Sequence, residues 1–220
     1  MNRVGDIFNE VDEDVRRDQI IRLWQRYGRY FLALLAVVVL GTGANATWKH
    51  FQTKRMMADG EEFSAAISLV QNGQYEQANL RFSQQIISSG GGYEQLAKLQ
   101  KAAALIAIKD HNGAISLYDD LAKTPTSDRI IANLAVILSA IHRIDADRAD
   151  EAAELLAGLA EGTGPWRHLA RETRALALLS IGDELGAREL LVSLVDDPTS
   201  PPGVRSRATE ILGTLHSNAG

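Results

Sequence analysis

The sequence predicts an all-α protein: a single N-terminal transmembrane helix, then a helical solenoid of about four degenerate repeats plus a C-terminal capping helix. Three observations lead there. A run of 19 residues, Tyr30 to Trp48, carries no charged side chain. From about Met56 onward no sustained period-two alternation marks a strand, and proline is absent until Pro125. Alanines 78, 114, 152 and 187 recur 36, 38 and 35 residues apart, a period that suits a helix–turn–helix unit of about 34 residues.

Residues 1–29 form a stub ahead of the apolar run. Phe8, Val11 and Val15 fall at i, i+3 and i+7, one face of a helix. Residues 1–15 set Arg3 against five acids, whereas residues 16–29 set five arginines against Asp18. Arginines beside an anionic membrane surface are each worth about 1 kcal/mol, so a juxtamembrane helix is the simplest reading. A docking helix for a membrane partner is the sharper one.

Residues 30–48 match a bilayer core about 30 Å thick, which needs roughly 20 apolar residues as helix. Arg22, Arg26 and Arg29 precede the run, with Trp24 among them, and Lys49 follows it, while Tyr27, Tyr30 and Trp48 stand at its two ends. Aromatic rings and cations favour that headgroup level. Ala44-Asn45-Ala46 has the small-x-small form of a signal-peptide cleavage site, but a signal's leading region is short and basic. Here it is 29 residues long with six acids, so the helix is expected to stay as an anchor. Five basic residues shortly before the run against three shortly after it (Lys49, Lys54, Arg55) place the N-terminus in the cytoplasm. In a Gram-negative cell, residues 49–220 are then periplasmic.

That body has 17 Lys and Arg against 22 Asp and Glu. A mildly acidic surface lacks the basic face that nucleic acid requires. The chain has no cysteine, which excludes disulfides and thiolate metal sites. Breaks fall at 72–74 (NGQ), 88–92 (SSGGG), 124–128 (TPTSD), 161–165 (EGTGP) and 196–203 (DDPTSPPG), each a helix stop, turn or cap. After alternate breaks one pattern returns. Gly73, Tyr75, Ala78 and Phe82 come first, then Ala114 and Tyr118, then Ala152 and Leu156, then Gly182, Ala187 and Leu191. A small residue allows close helix approach, and the large residue one turn later fills the space toward the next unit. No unit buries that face alone, so neighbours must stack.

Gly73-x-Tyr75-x-x-Ala78-x-x-x-Phe82 resembles the second half of a tetratricopeptide repeat, with Pro125 and Pro198 near that repeat's closing proline. Residues 7–30, including VRRDQ and LWQRYG, resemble the start of bacterial inner-membrane proteins related to YfgM, the ancillary subunit of the SecYEG translocon. That resemblance covers nearly the whole chain in order. It implies repeats that bind other proteins near the channel exit, with a membrane-anchored, prolyl-isomerase-like periplasmic chaperone as partner. A related repeat domain in a cell-division coordinator keeps recruitment to another envelope complex, divisional or respiratory, as the alternative.

No motif supports catalysis, a cofactor, a metal or a small-molecule substrate. The five histidines, 50, 111, 142, 168 and 216, are far apart in sequence and read as surface or cap residues. The glycines at 90–92 lack the Gly-Lys-Ser/Thr of a phosphate cradle. The pairs Asp119-Asp120 and Asp196-Asp197 diverge by about 100° on a helix and read as solvated ends and caps. A scaffold that binds proteins is the expected function.

Overall fold

A computed structural model describes the backbone of residues 4–125 and 128–217; the side chains of 1–23, 25, 27, 31, 33, 34, 36, 37 and 216–220 lie outside the described residues. Nine helices are described: α1 (Val4–Gln71), α2 (Tyr75–Ser88), α3 (Gly92–Ala107), α4 (His111–Lys123), α5 (Arg129–Asp145), α6 (Ala149–Glu161), α7 (Arg167–Ser180), α8 (Glu184–Asp196) and α9 (Pro202–Ser217). No strand occurs among the described residues. The chain divides into two compact units between Met57 and Ala58.

The first unit is the greater part of α1. Within it Gly28 is buried under the Trp24 ring, whose atoms would stand 3.3 Å from an added Cβ. The Arg29 guanidinium lies over the Tyr30 ring at 4.8 Å and donates to its hydroxyl at 3.0 Å. Leu32, Leu35, Val38, Val39 and Leu40 are exposed. Thr42 and Thr47 donate their hydroxyls to the carbonyls of Val38 and Gly43, four residues back in the same helix. Among the described residues no helix is long and apolar enough to cross a membrane. The expected span of 30–48 includes Phe31, Ala33, Leu34, Ala36 and Val37, whose side chains lie outside the described residues.

In the second unit, consecutive helices pack on one another from α2 through α9. Four apolar cores follow in chain order. The first joins Ala66 of α1, Ala78 and Phe82 of α2, and Ala97 of α3. The second joins Ala102 of α3, Ala114, Tyr118 and Leu121 of α4, and Ala135 of α5. The third runs from Ile137 through Ala152 and Leu156 to Ala170 and Ala177. The last takes Ala175 of α7, Ala187, Leu191 and Leu194 of α8, and Val204, Ala208 and Leu215 of α9. Each core thus takes three successive helices, and α3, α5 and α7 each serve two cores. That sharing is why no hairpin could bury its face alone. Phe82, Leu156 and Leu191 are fully buried, each contributing about 1.5–3 kcal/mol of apolar burial.

The turn inside each hairpin repeats too. Gly73, Lys109, Asp147 and Gly182 have φ of 71°, 64°, 58° and 83°. Each precedes the buried alanine of its hairpin by five residues. The next residue's N–H bonds five residues back: Gln74 to Leu69 (2.9 Å), Asp110 to Leu105 (2.9 Å), Arg148 to Arg143 (2.8 Å) and Asp183 to Leu178 (2.9 Å). The left-handed residue itself bonds three back, as Gly73 does to Val70 at 3.0 Å and Lys109 to Ile106 at 2.9 Å. This is the Schellman closure, which satisfies the last carbonyls of one helix while turning into the next. In two hairpins the residue after the turn caps the second helix: Asp110 accepts from Gly113 N–H and Asp183 from Gly186 N–H.

Candidate functional site

From α5 onward the odd-numbered helices touch each other, α5 against α7 and α7 against α9, whereas no two even-numbered helices make comparable contact among the described residues. The odd helices are therefore the closer-spaced, inner row of this unit. Polar links fix their starting ends. The Asp128 N–H donates to Gln95 Oε1 (3.3 Å), Trp166 Nε1 to the Ile130 carbonyl (3.0 Å) and Arg167 Nη2 to Thr199 Oγ1 (2.7 Å). The separations of 33, 36 and 32 residues follow the repeat. At the first hairpin a Cβ on Gly60 would lie 2.8 Å from the Tyr93 hydroxyl, so glycine permits that approach of α1 to α3. On this row Leu96, Ile130 and Leu176 are exposed.

The repeat-packing positions read from the sequence take these places. Ala78, Ala114, Ala152 and Ala187 are fully buried, as are Phe82, Leu156 and Leu191; Tyr118 is 3% exposed. Tyr75 is half-buried at the start of α2, and Gly73 and Gly182 hold left-handed turns. Of the membrane-interface positions, Trp24, Arg26, Arg29, Trp48 and Lys49 are exposed, while the side chains of Arg22 and Tyr27 lie outside the described residues.

Several polar residues depart from the solvated roles expected of them. Asp119 accepts from Arg143 Nη2 at 2.7 Å and from the Ser139 hydroxyl at 2.6 Å, and Arg143 also contacts Glu151. Ser139 and Arg143 are buried, so α4, α5 and α6 are tied by a charged network that runs from the buried Arg143 out to the exposed Glu151. Burial pushes the Asp119 carboxyl up, but the hydrogen bonds from Arg143 and Ser139 and the Arg143 charge prevail and hold it below its ordinary value. His168 is buried rather than a surface residue, with Nε2 3.0 Å from the Asp197 carboxylate. Asp197 accepts from the Thr199 hydroxyl and N–H as well, and these bonds, with that of His168, hold its carboxyl far below the usual range. Glu172, buried on α7, is held by Arg207 of α9 at 2.5 and 2.6 Å.

One grouping crosses sequence distance that spacing does not reveal. His111 opens α4, and His142 and Asp145 lie in the last turn of α5; antiparallel packing sets these helix ends side by side. Their potential ligand atoms lie within 4.8 Å of one another. Open depressions also mark the surface, one of about 440 Å³ lined by Leu69, Gln77, Leu80, Arg81 and Gln84, another of about 500 Å³ at Pro202, Arg205, Ser206, Thr209 and Glu210.

A succession of hairpins with shared cores, one recurrent turn and one recurrent small-large pair defines a helical repeat domain of the protein-binding scaffold class. Residues 22–190 match the family described as the tetratricopeptide repeat-like domain, and the chain belongs to that family. No curated protein and no solved structure gives a match.

Proposed function

We propose that the chain is a non-enzymatic, membrane-anchored adaptor. It binds proteins on the periplasmic side of the Sec translocon and links the channel to a membrane-anchored periplasmic chaperone. One observation carries the binding role: the odd-numbered helices, linked from α3 to α5 at their starting ends and in contact from α5 to α9, expose Leu96, Ile130 and Leu176. Stacked repeats offer extended surfaces that take a peptide or helix without pocket chemistry.

The anchor is supported by the uncharged run of 30–48 and by the Thr42 and Thr47 hydroxyls, which bond within their own helix and so present no unpaired donor to lipid. The stub of 7–30 supports the translocon through its resemblance to the YfgM-related proteins. Tethering raises the local concentration of the repeats beside the channel, so a modest contact there becomes effectively intramolecular.

Gentle solubilisation of membranes and pull-down of the tagged 220-residue chain tests this. Translocon subunits and a periplasmic chaperone should co-purify, the translocon only when residues 1–48 are present. Recovery of a division or respiratory complex in their place would transfer the adaptor role to that machine.

A further inference from the structure

We propose that His111, His142 and Asp145 form a binding site for a divalent transition-metal ion of the zinc class, at the junction of the second and third hairpins. One ring nitrogen of each histidine and one carboxylate oxygen of Asp145 lie within 4.8 Å of one another. His142 Nδ1 and Asp145 Oδ2 are 3.2 Å apart. Bonds of about 2.0–2.1 Å to a tetrahedral ion set ligand atoms roughly 3.3 Å apart. One pair already has that spacing, and the Asp145 side chain, 51% exposed, has the freedom to draw the set together.

The rings are placed for it. His142 lies parallel to the buried Tyr118 ring, with centroids 5.9 Å apart, which fixes its plane. The His111 ring is 6.1 Å from that of His142 and inclined at 59°, so the two converge rather than stack. His111 Nδ1 is buried with no hydrogen-bond partner among the described residues. A simple His142–Asp145 pair leaves the His111 ring unserved, whereas an ion held by all three serves both rings. The neighbouring Arg143 is committed to Asp119 and Glu151.

Two imidazoles and one carboxylate, with no thiolate in the chain, suit Zn²⁺ and the ions that replace it rather than Ca²⁺ or Mg²⁺. Three protein ligands leave a position for water on the exposed side. Because the donors come from two helices, the ion would clamp α4 to α5.

The test uses the untagged 220-residue chain in detergent, stripped with chelator. It is titrated with Co²⁺, read by its visible absorption, and then with Zn²⁺ in competition. His111→Gln and Asp145→Asn are the variants and His50→Gln the control. The expected result is one equivalent bound by the parent and the control, with affinity lowered about tenfold or more in each variant, since even outer-shell losses cost 10–100-fold. Absence of saturable binding by the parent overturns the proposal, as does a loss under threefold in either variant. If His111→Gln loses its helical signal, Asp145→Asn decides alone, its side chain being half-exposed.

Discussion

Lys109 and Asp147 hold left-handed turns without being glycine. For a residue with a Cβ that conformation costs about 1–2 kcal/mol. Lys109→Gly should therefore stabilise the chain by roughly 0.5–1 kcal/mol after the added flexibility of the unfolded state is deducted. Gly182→Ala should destabilise it by about 1 kcal/mol or more. Thermal midpoints of the two variants, moving in opposite directions, check this. Ala114 is fully buried between α3, α4 and α5, so Ala114→Leu should overpack and cost about 1–3 kcal/mol; an unchanged midpoint would refute the tight approach. Asp119 and Asp197 have carboxyls held below their ordinary values. Their stabilisation is therefore fully present above the unfolded carboxylate value of about 3.9 and is lost as pH falls through the lower folded values. Asp119→Asn should flatten the fall in thermal midpoint between about pH 4 and pH 2.

At the scale of helices and turns, the alanine at the second helix of each hairpin was legible, because small-then-large at i, i+4 recurs four times. The long loops were legible as well: TPTSD and EGTGP separate α4 from α5 and α6 from α7. Of the turns inside hairpins only that at Gly73, within NGQ, was legible as a break; Gly182 stood out in the sequence only as part of the recurring pattern. Lys109 and Asp147 carry the same geometry with no compositional mark, since the hydrogen bonds of the closure, not the residue type, define it. Buried partnerships were hidden for another reason. Asp119 and Arg143, 24 residues apart, His168 and Asp197, 29 apart, and His111 and His142 meet only through antiparallel packing, which no local spacing encodes. α9 is a further consequence of shared cores. It supplies Val204, Ala208 and Leu215 to the last one, so ending the chain at Asp197 should bare Leu191 and Leu194. Hydrogen exchange should then show α8 unprotected while α4 stays protected; equal protection of α8 would contradict the sharing.

For the whole molecule, the tetratricopeptide repeat-like family follows from the match over residues 22–190, and adaptor function at the translocon is the proposal built on it. Leu96→Arg and Leu176→Arg alter the inner row, whereas Leu185→Arg alters an exposed residue of α8. The first two should weaken partner capture about tenfold, as loss of a buried apolar anchor does, and the third should leave it intact. The most direct measurement is photocrosslinking in intact membranes from a photoreactive residue at position 96, with the products identified by mass spectrometry. The account predicts crosslinks to a periplasmic chaperone and to translocon subunits, lost with Leu176→Arg. Crosslinks confined to cytoplasmic proteins, or to division or respiratory subunits alone, would contradict it.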